Sequence, residues 1–198
     1  MRWVVATANA HKVRELATLL GDFGVELAPR PEGVAMPEET GASFLANARI
    51  KARAVAAATG EIALADDSGL EVDALGGDPG VRSARYAGDE ASDADNNAKL
   101  LAELSGIHGP NRRARFRCVL ALVGPDGKEL TAEGRCEGFV LESPRGAGGF
   151  GYDPLFQPEG DTRALAEYAE AEKNAISHRG HAVRRLREML ERLGRTAP

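Results

Sequence analysis

The sequence predicts an α/β protein with a mixed β-sheet, and two observations carry that expectation. Short apolar runs at 3–6, 25–28 and 62–65 alternate with amphipathic helical stretches, as strands joined through helices do. Further on, two long strand-like stretches, 114–123 and 129–141, flank Pro125-Asp126-Gly127, a hairpin turn that adds antiparallel neighbours to the sheet. With 198 residues the chain has the size of one domain, or of two lobes sharing a core, and its 43% apolar content can fill one.

The elements follow in order. Trp3-Val4-Val5-Ala6 is a buried strand, and Thr7 to Lys12 turn from it into a helix with Val13, Leu16, Ala17 and Leu20 on one face. Asn9 is its N-cap, and Glu15 belongs to the helix body. A strand, a polar turn and a helix N-terminus make an anion site, because unpaired N–H groups and the helix dipole face the turn. Lys12 opposes that dipole and is better explained by a phosphate partner. The GxxxxGK[ST] pattern is absent, so this is not a Walker loop.

Val25 to Ala28 reads as a second strand, and a proline-bearing loop covers 29–37. Glu38-Glu39-Thr40-Gly41 then precede a helix over 43–58 with an apolar stripe of Phe44, Ala48, Ala52 and Val55. Ser43, Asn47 and Lys51 form a second stripe at four-residue spacing. Spacing alone describes a solvated face, although Arg49 and Arg53 suit the wet side better. Glu39 is either a dipole partner for this helix or a cation ligand.

Ile62 to Ala65 is a short strand running into two adjacent carboxylates, Asp66 and Asp67, with a turn expected at Ser68-Gly69. Paired acids at a strand end suit Mg²⁺ and an activated water, since Mg²⁺ takes oxygen ligands and borrows the rest from phosphate. Consecutive strand residues face opposite ways, so the two acids should do different jobs. Asp, Ser and Gly also make ordinary turns, and these residues alone leave both readings open. Asp93 to Leu104 reads as an amphipathic helix with a structural task. The loop from Pro144 to Pro154 sets four glycines around Phe150 and Tyr152. There Phe150 can stack on a base and Asp153 can accept from ring N–H groups, although glycine loops also merely permit tight paths. Residues 164–172 read as one acidic helix. The terminal helix should turn Val183, Leu186, Met189, Leu190 and Leu193 inward and Arg184, Arg185, Arg187 and Arg192 to solvent.

A net charge of -5 argues against broad nucleic-acid binding while allowing a local basic pocket. Cys118 and Cys136 lie in strand-like stretches and read as buried free thiols. No run approaches a membrane span, and Met1-Arg2-Trp3 leads into a strand rather than a signal peptide; the expectation is a cytoplasmic protein.

Five segments, TANAHK (7–12), EETGASFLANARIKA (38–52), ADDSGLEVDALGGDPGVRSARYAG (65–88), GAGGFGYDP (146–154) and EKNAISHRG (172–180), closely resemble the inosine triphosphate pyrophosphatase family. These enzymes hydrolyse non-standard purine nucleoside triphosphates, and the matches run in the family's order across nearly the whole chain. Ala8 is a departure, small enough to leave its turn usable.

The resemblance implies an elongated mixed sheet flanked by helices, in two lobes with an active-site cleft between them, and usually a homodimer. It implies that ITP, dITP and XTP are cleaved to the monophosphate and pyrophosphate with Mg²⁺ as cofactor. Thr7, Asn9, Lys12, Lys51 and Ser68 would hold the phosphates. Glu39 and Asp67 would ligate Mg²⁺, with Asp67 also the general base, while Asp66 supports the geometry. Phe150, Gly151, Tyr152, Asp153, Lys173, His178 and Arg179 would enclose and read the base. Donors such as Arg179 would pair with a 6-keto oxygen, and adenine's amino group would leave them unpaired. Guanine shares that oxygen, so its rejection must involve its 2-amino group. The alternatives are a Maf-like pyrophosphatase for modified pyrimidine nucleotides and a nucleotide-binding regulator without turnover.

Overall fold

The computed structural model describes residues 1–194, so the last four residues of the expected 1–198 domain lie outside the described residues. Six strands form one sheet: β1 (Arg2–Val5), β2 (Glu26–Ala28), β3 (Ala63–Val72), β4 (Arg113–Val123), β5 (Glu129–Val140) and β6 (Phe156–Pro158). Their order is β2-β1-β3-β4-β5-β6. β1 runs parallel to β2, with Trp3 opposite Leu27, and parallel to β3, with Val4 opposite Ala63. β5 and β6 are antiparallel, with Phe139 opposite Gln157, so the sheet is mixed as expected. The helices are α1 (Ala10–Gly21), α2 (Phe44–Thr59), α3 (Asp93–Glu103), α4 (Glu170–Ile176) and α5 (His178–Arg192). No described helix is long and apolar enough to cross a membrane.

The chain divides into two units. The first takes residues 1–67, 118–134 and, among the described residues, 178–194. Its core joins Trp3 of β1, Leu16 and Leu20 of α1, Leu64 of β3, Cys118 and Leu120 of β4, and Ala182, Val183 and Leu186 of α5. Asn9 starts α1 and Ser43 starts α2 through side-chain caps, and α2 ends at Gly60 with φ 67°. α5 lies close against β5: a Cβ on Gly134 would collide with the His178 carbonyl and the Ala182 nitrogen. That close approach requires glycine there.

The second unit takes residues 68–117 and 135–177. Leu70 and Val72 of β3, Leu100 of α3, Phe116 of β4, Val140 of β5, Leu155 and Phe156 form its core, with Phe116 and Phe156 rings 4.7 Å apart. Both cysteines are free and buried.

The structure corrects three expectations. β3 does not end at the acids; it continues through Ser68-Gly69 to Val72. Gly69 is there because a Cβ would strike Ser83 Oγ and the Gly80 carbonyl, not because the chain turns. The acidic stretch 164–172 is not one helix: a 3-10 turn (Leu165–Glu167) gives way to extended backbone at Tyr168 and Ala169, and α4 starts afresh with Glu172 accepting from the Ala169 N–H. Leu193 lies just past α5 and is 56% exposed, whereas Leu186 packs inside.

Candidate active site

β3 sets Asp66 and Asp67 side by side, and the strand's alternation sends their carboxylates to different partners. Asp67 meets α2. Lys51 Nζ donates to Asp67 Oδ1 at 2.8 Å, to Glu39 Oε1 at 2.8 Å and to the Asp66 carbonyl at 2.9 Å. Lys51 and Asn47, read by spacing as a possible wet face, are buried at 3% and 0% exposure, while Arg49 and Arg53 pair outside with Glu129. Burial opposes the Lys51 charge, yet Asp67 and Glu39 outweigh it and hold the ammonium above its ordinary value. Burial pushes the Asp67 carboxyl above the usual carboxylate value, by more than Lys51 and Lys12 pull it down.

Asp67 Oδ2 is buried and has no hydrogen-bond partner among the described residues. A buried carboxylate oxygen of this kind needs a cation or an ordered water. No group of three or more His, Cys, Asp or Glu able to hold a metal occurs among the described residues. Glu39 and Asp67, both bonded to the Lys51 ammonium, are the carboxylates here that could hold a hard divalent cation, which takes oxygen ligands.

Asp66 is fully buried. Its Oδ1 receives Lys12 Nζ at 2.8 Å, and its Oδ2 receives Arg179 Nε at 2.8 Å and the Cys118 thiol at 3.1 Å. Arg179 also bonds Glu15 of α1. Burial would raise the Asp66 carboxyl, but Arg179 and Lys12 hold it well below its ordinary value. Burial, reinforced by Asp66, pushes the Cys118 thiol well up.

At the head of α1, Asn9 Oδ1 accepts from the N–H groups of His11 (3.0 Å) and Lys12 (3.1 Å), and Thr7 Oγ1 accepts from the Asn9 N–H at 3.2 Å. The side-chain cap therefore takes two donors that the sequence reading reserved for phosphate. Ser68, half-buried, follows Asp67 along β3. His178, buried, opens α5 beside Arg179.

The second unit holds the other base candidates together. Asp153 Oδ2 accepts from the Phe150 N–H at 2.9 Å and from Lys173 Nζ at 2.6 Å, and that ammonium lies 4.9 Å from the centre of the Phe150 ring. The Tyr152 hydroxyl donates to the Ser83 carbonyl at 2.8 Å; burial first, then Tyr86 and Asp93, push the phenol above its ordinary value. Phe150, Tyr152, Asp153 and Lys173 thus belong to one unit, whereas His178 and Arg179 belong to the other.

Sequence reading missed the side chains that hold this machinery in place. Asn47 Oδ1 accepts from the Gly41 N–H at 2.7 Å and so fixes the segment carrying Glu39; its position on the Lys51 stripe was the available signal. Asp93 and Asn97 of α3 bond the backbone of Gly151. Nothing local to α3 announced that task.

The sequence matches the model of the Ham1 family over residues 3–189. A dITP/XTP pyrophosphatase of Desulforamulus reducens is 52% identical over 195 residues, covering 98% of this chain and 97% of that one. Among solved structures, a HAM1 protein from Coxiella burnetii superposes with a TM-score of 0.88 at 44% identity, covering 97% of this chain and 99% of the other. A nucleoside-triphosphatase / dITP/XTP pyrophosphatase from Mycobacterium abscessus superposes at 0.76 with 47% identity, covering 98% and 100%.

Proposed function

The chain belongs to the Ham1 family, and on that premise we propose that it hydrolyses the non-standard purine nucleotides ITP, dITP and XTP to the nucleoside monophosphate and pyrophosphate. The observation that carries this reading is the Lys51 ammonium held between Glu39 and Asp67 beside a buried Asp67 oxygen with no hydrogen-bond partner among the described residues. Glu39 and Asp67 would hold Mg²⁺, which when bound acidifies an attacking water and offsets phosphate charge.

Asp67 serves as the general base that takes the proton of the attacking water, and Lys51 at Oδ1 holds its carboxylate in place for that transfer. Lys51 fixes Asp67 through Oδ1 and supplies positive charge where phosphoryl negative charge grows. Lys12, with Thr7, Asn9 and Ser68, meets the phosphates, and a phosphate oxygen competes with Asp66 for the Lys12 ammonium. Phe150, Gly151, Tyr152, Asp153 and Lys173 hold the base; His178 and Arg179 carry a base role by motif alone, and the Arg179 guanidinium is engaged by Asp66 and Glu15. A 6-keto oxygen satisfies donors that adenine would leave unpaired, a costly mismatch in a buried site. The two units serve as the two lobes of one nucleotide-handling domain, the chain works as a homodimer, and the cytoplasmic nucleotide pool is its setting.

The test is pyrophosphate release from ITP, XTP, ATP, GTP and dTTP, each with and without Mg²⁺. Metal-dependent release confined to ITP and XTP is expected. Equal rates on all five would discard base selection, and nucleotide binding without release would make the chain a regulator.

A further inference from the structure

Helix α3 takes hold of the loop assigned to the base. Asp93 and Asn97 stand one turn apart on one helical face. The Gly151 N–H donates to Asp93 Oδ2 at 2.6 Å, and Asn97 Nδ2 donates to the Gly151 carbonyl at 2.9 Å. The N–H belongs to the peptide plane shared with Phe150, and the carbonyl to the plane shared with Tyr152. Two bonds to one residue therefore fix the planes on both sides of it. Gly151 adopts φ 61°, a region that glycine enters at no steric cost. The same freedom would let the loop wander, and α3 removes it.

The helix is itself well placed for this task. Ser92 and Asp95 form a capping box at its start, which sets Asp93 in the first turn. Asn96 ties α3 to the neighbouring 84–87 backbone, accepting from the Ala87 N–H at 2.8 Å and donating to the Ala84 carbonyl at 3.2 Å. Leu100 anchors it in the core of the second unit. Asp93 is exposed, so its bond contributes little to folding. What it does hold is the Phe150–Gly151 peptide plane.

We propose that Asp93 and Asn97 are positioning residues for base selection: through Gly151 they set the placement of the Phe150 ring, and so rank purines without touching one. This rests on reading the Phe150–Asp153 segment as the base holder.

The experiment compares Asp93→Ala, Asp93→Asn, Asn97→Ala, Asn97→Asp and Phe150→Ala in the full chain. It reads kcat and KM for ITP and GTP, inhibition by inorganic pyrophosphate, and Tm. Asn97→Ala and Asp93→Ala should raise KM for ITP about five- to tenfold, the loss of one oriented hydrogen bond, and narrow the ITP/GTP ratio of kcat/KM. kcat and pyrophosphate inhibition should stay at wild-type values. Asp93→Asn keeps an acceptor oxygen and should stay near wild type. Asn97→Asp faces a carboxylate against the Gly151 carbonyl and should be worse than Asn97→Ala.

Wild-type KM and ITP/GTP ratio in both alanine variants would overturn the inference. So would a fall in kcat equal for both nucleotides with weakened pyrophosphate inhibition, which is what general loosening would produce. Phe150→Ala separates the two levels. If it raises KM while the α3 variants do not, only the positioning role fails; if it leaves KM unchanged, the base-holder reading fails and the inference with it.

Discussion

Asp66 and Asp67 are adjacent, buried and chemically identical, yet their surroundings drive their carboxyls in opposite directions. Asp66 is ionised inside a cage of Arg179 and Lys12, and its folded pKa lies well below the value of a free carboxyl. Its contribution to stability is thus complete above about pH 4 and is lost as pH falls through the lower folded value. Acid unfolding followed by circular dichroism should show this as a decline that Asp66→Asn flattens; an unchanged acid limb in that variant would remove Asp66 as its source. Burial pushes the Asp67 carboxyl up, and a cation at its unpartnered Oδ2 would favour the ionised form. Mg²⁺ should therefore raise Tm through binding to the native state. Asp67→Asn should abolish that rise together with hydrolysis while nucleotide still binds. Turnover retained in Asp67→Asn would take the base role away from Asp67. Asn47 acts through Gly41 on the segment that carries Glu39. Asn47→Leu should raise the Mg²⁺ concentration for half-maximal rate about tenfold, as loss of a group orienting a metal ligand does. A wild-type Mg²⁺ dependence would leave Asn47 a core residue only.

At the scale of elements, β3 shows how tertiary contact overrides a local signal. Asp-Ser-Gly is turn chemistry by composition, but β3 carries these residues on as strand to Val72 within the sheet. Gly69 has a packing reason, so Gly69→Ala should destabilise by about 1–3 kcal/mol, the usual cost of overpacking. A thermal melt measures it, and an unchanged Tm would mean that Ser83 and Gly80 can give way. Periodicity located α1, α2, α3 and α5 well, since each buries a stripe against a core. It failed at 164–172, where Tyr168 and Ala169 are extended and short apolar residues carry no period that separates a 3-10 turn from a helix. Leu193 was misplaced because helical spacing does not say where the core ends.

At the scale of the molecule, each unit has its own apolar core, and the chain enters and leaves each more than once. Polar chemistry is divided the same way: the carboxylate–lysine group belongs to the first unit and the Phe150–Asp153–Lys173 group to the second. The proposed homodimer belongs to this scale. Sedimentation of the full chain should return twice the mass of one chain, and a single-chain mass would remove the dimer from the reading.

By itself the sequence determined the alternation of strands and helices, the mixed sheet, the cap at Asn9, and which residue types are expected to meet cation, phosphate and base. These follow from local stereochemistry, hydrophobic period and the chemistry of side chains, all readable within a window of neighbours. Only the tertiary structure decided that Arg179 reaches back to Asp66 and Glu15, that Asn47 holds Gly41, and that α3 grips Gly151. Each of these is a hydrogen bond or ion pair whose partner is chosen by packing, and an isolated donor or acceptor in a sequence does not announce which group will satisfy it once water is gone.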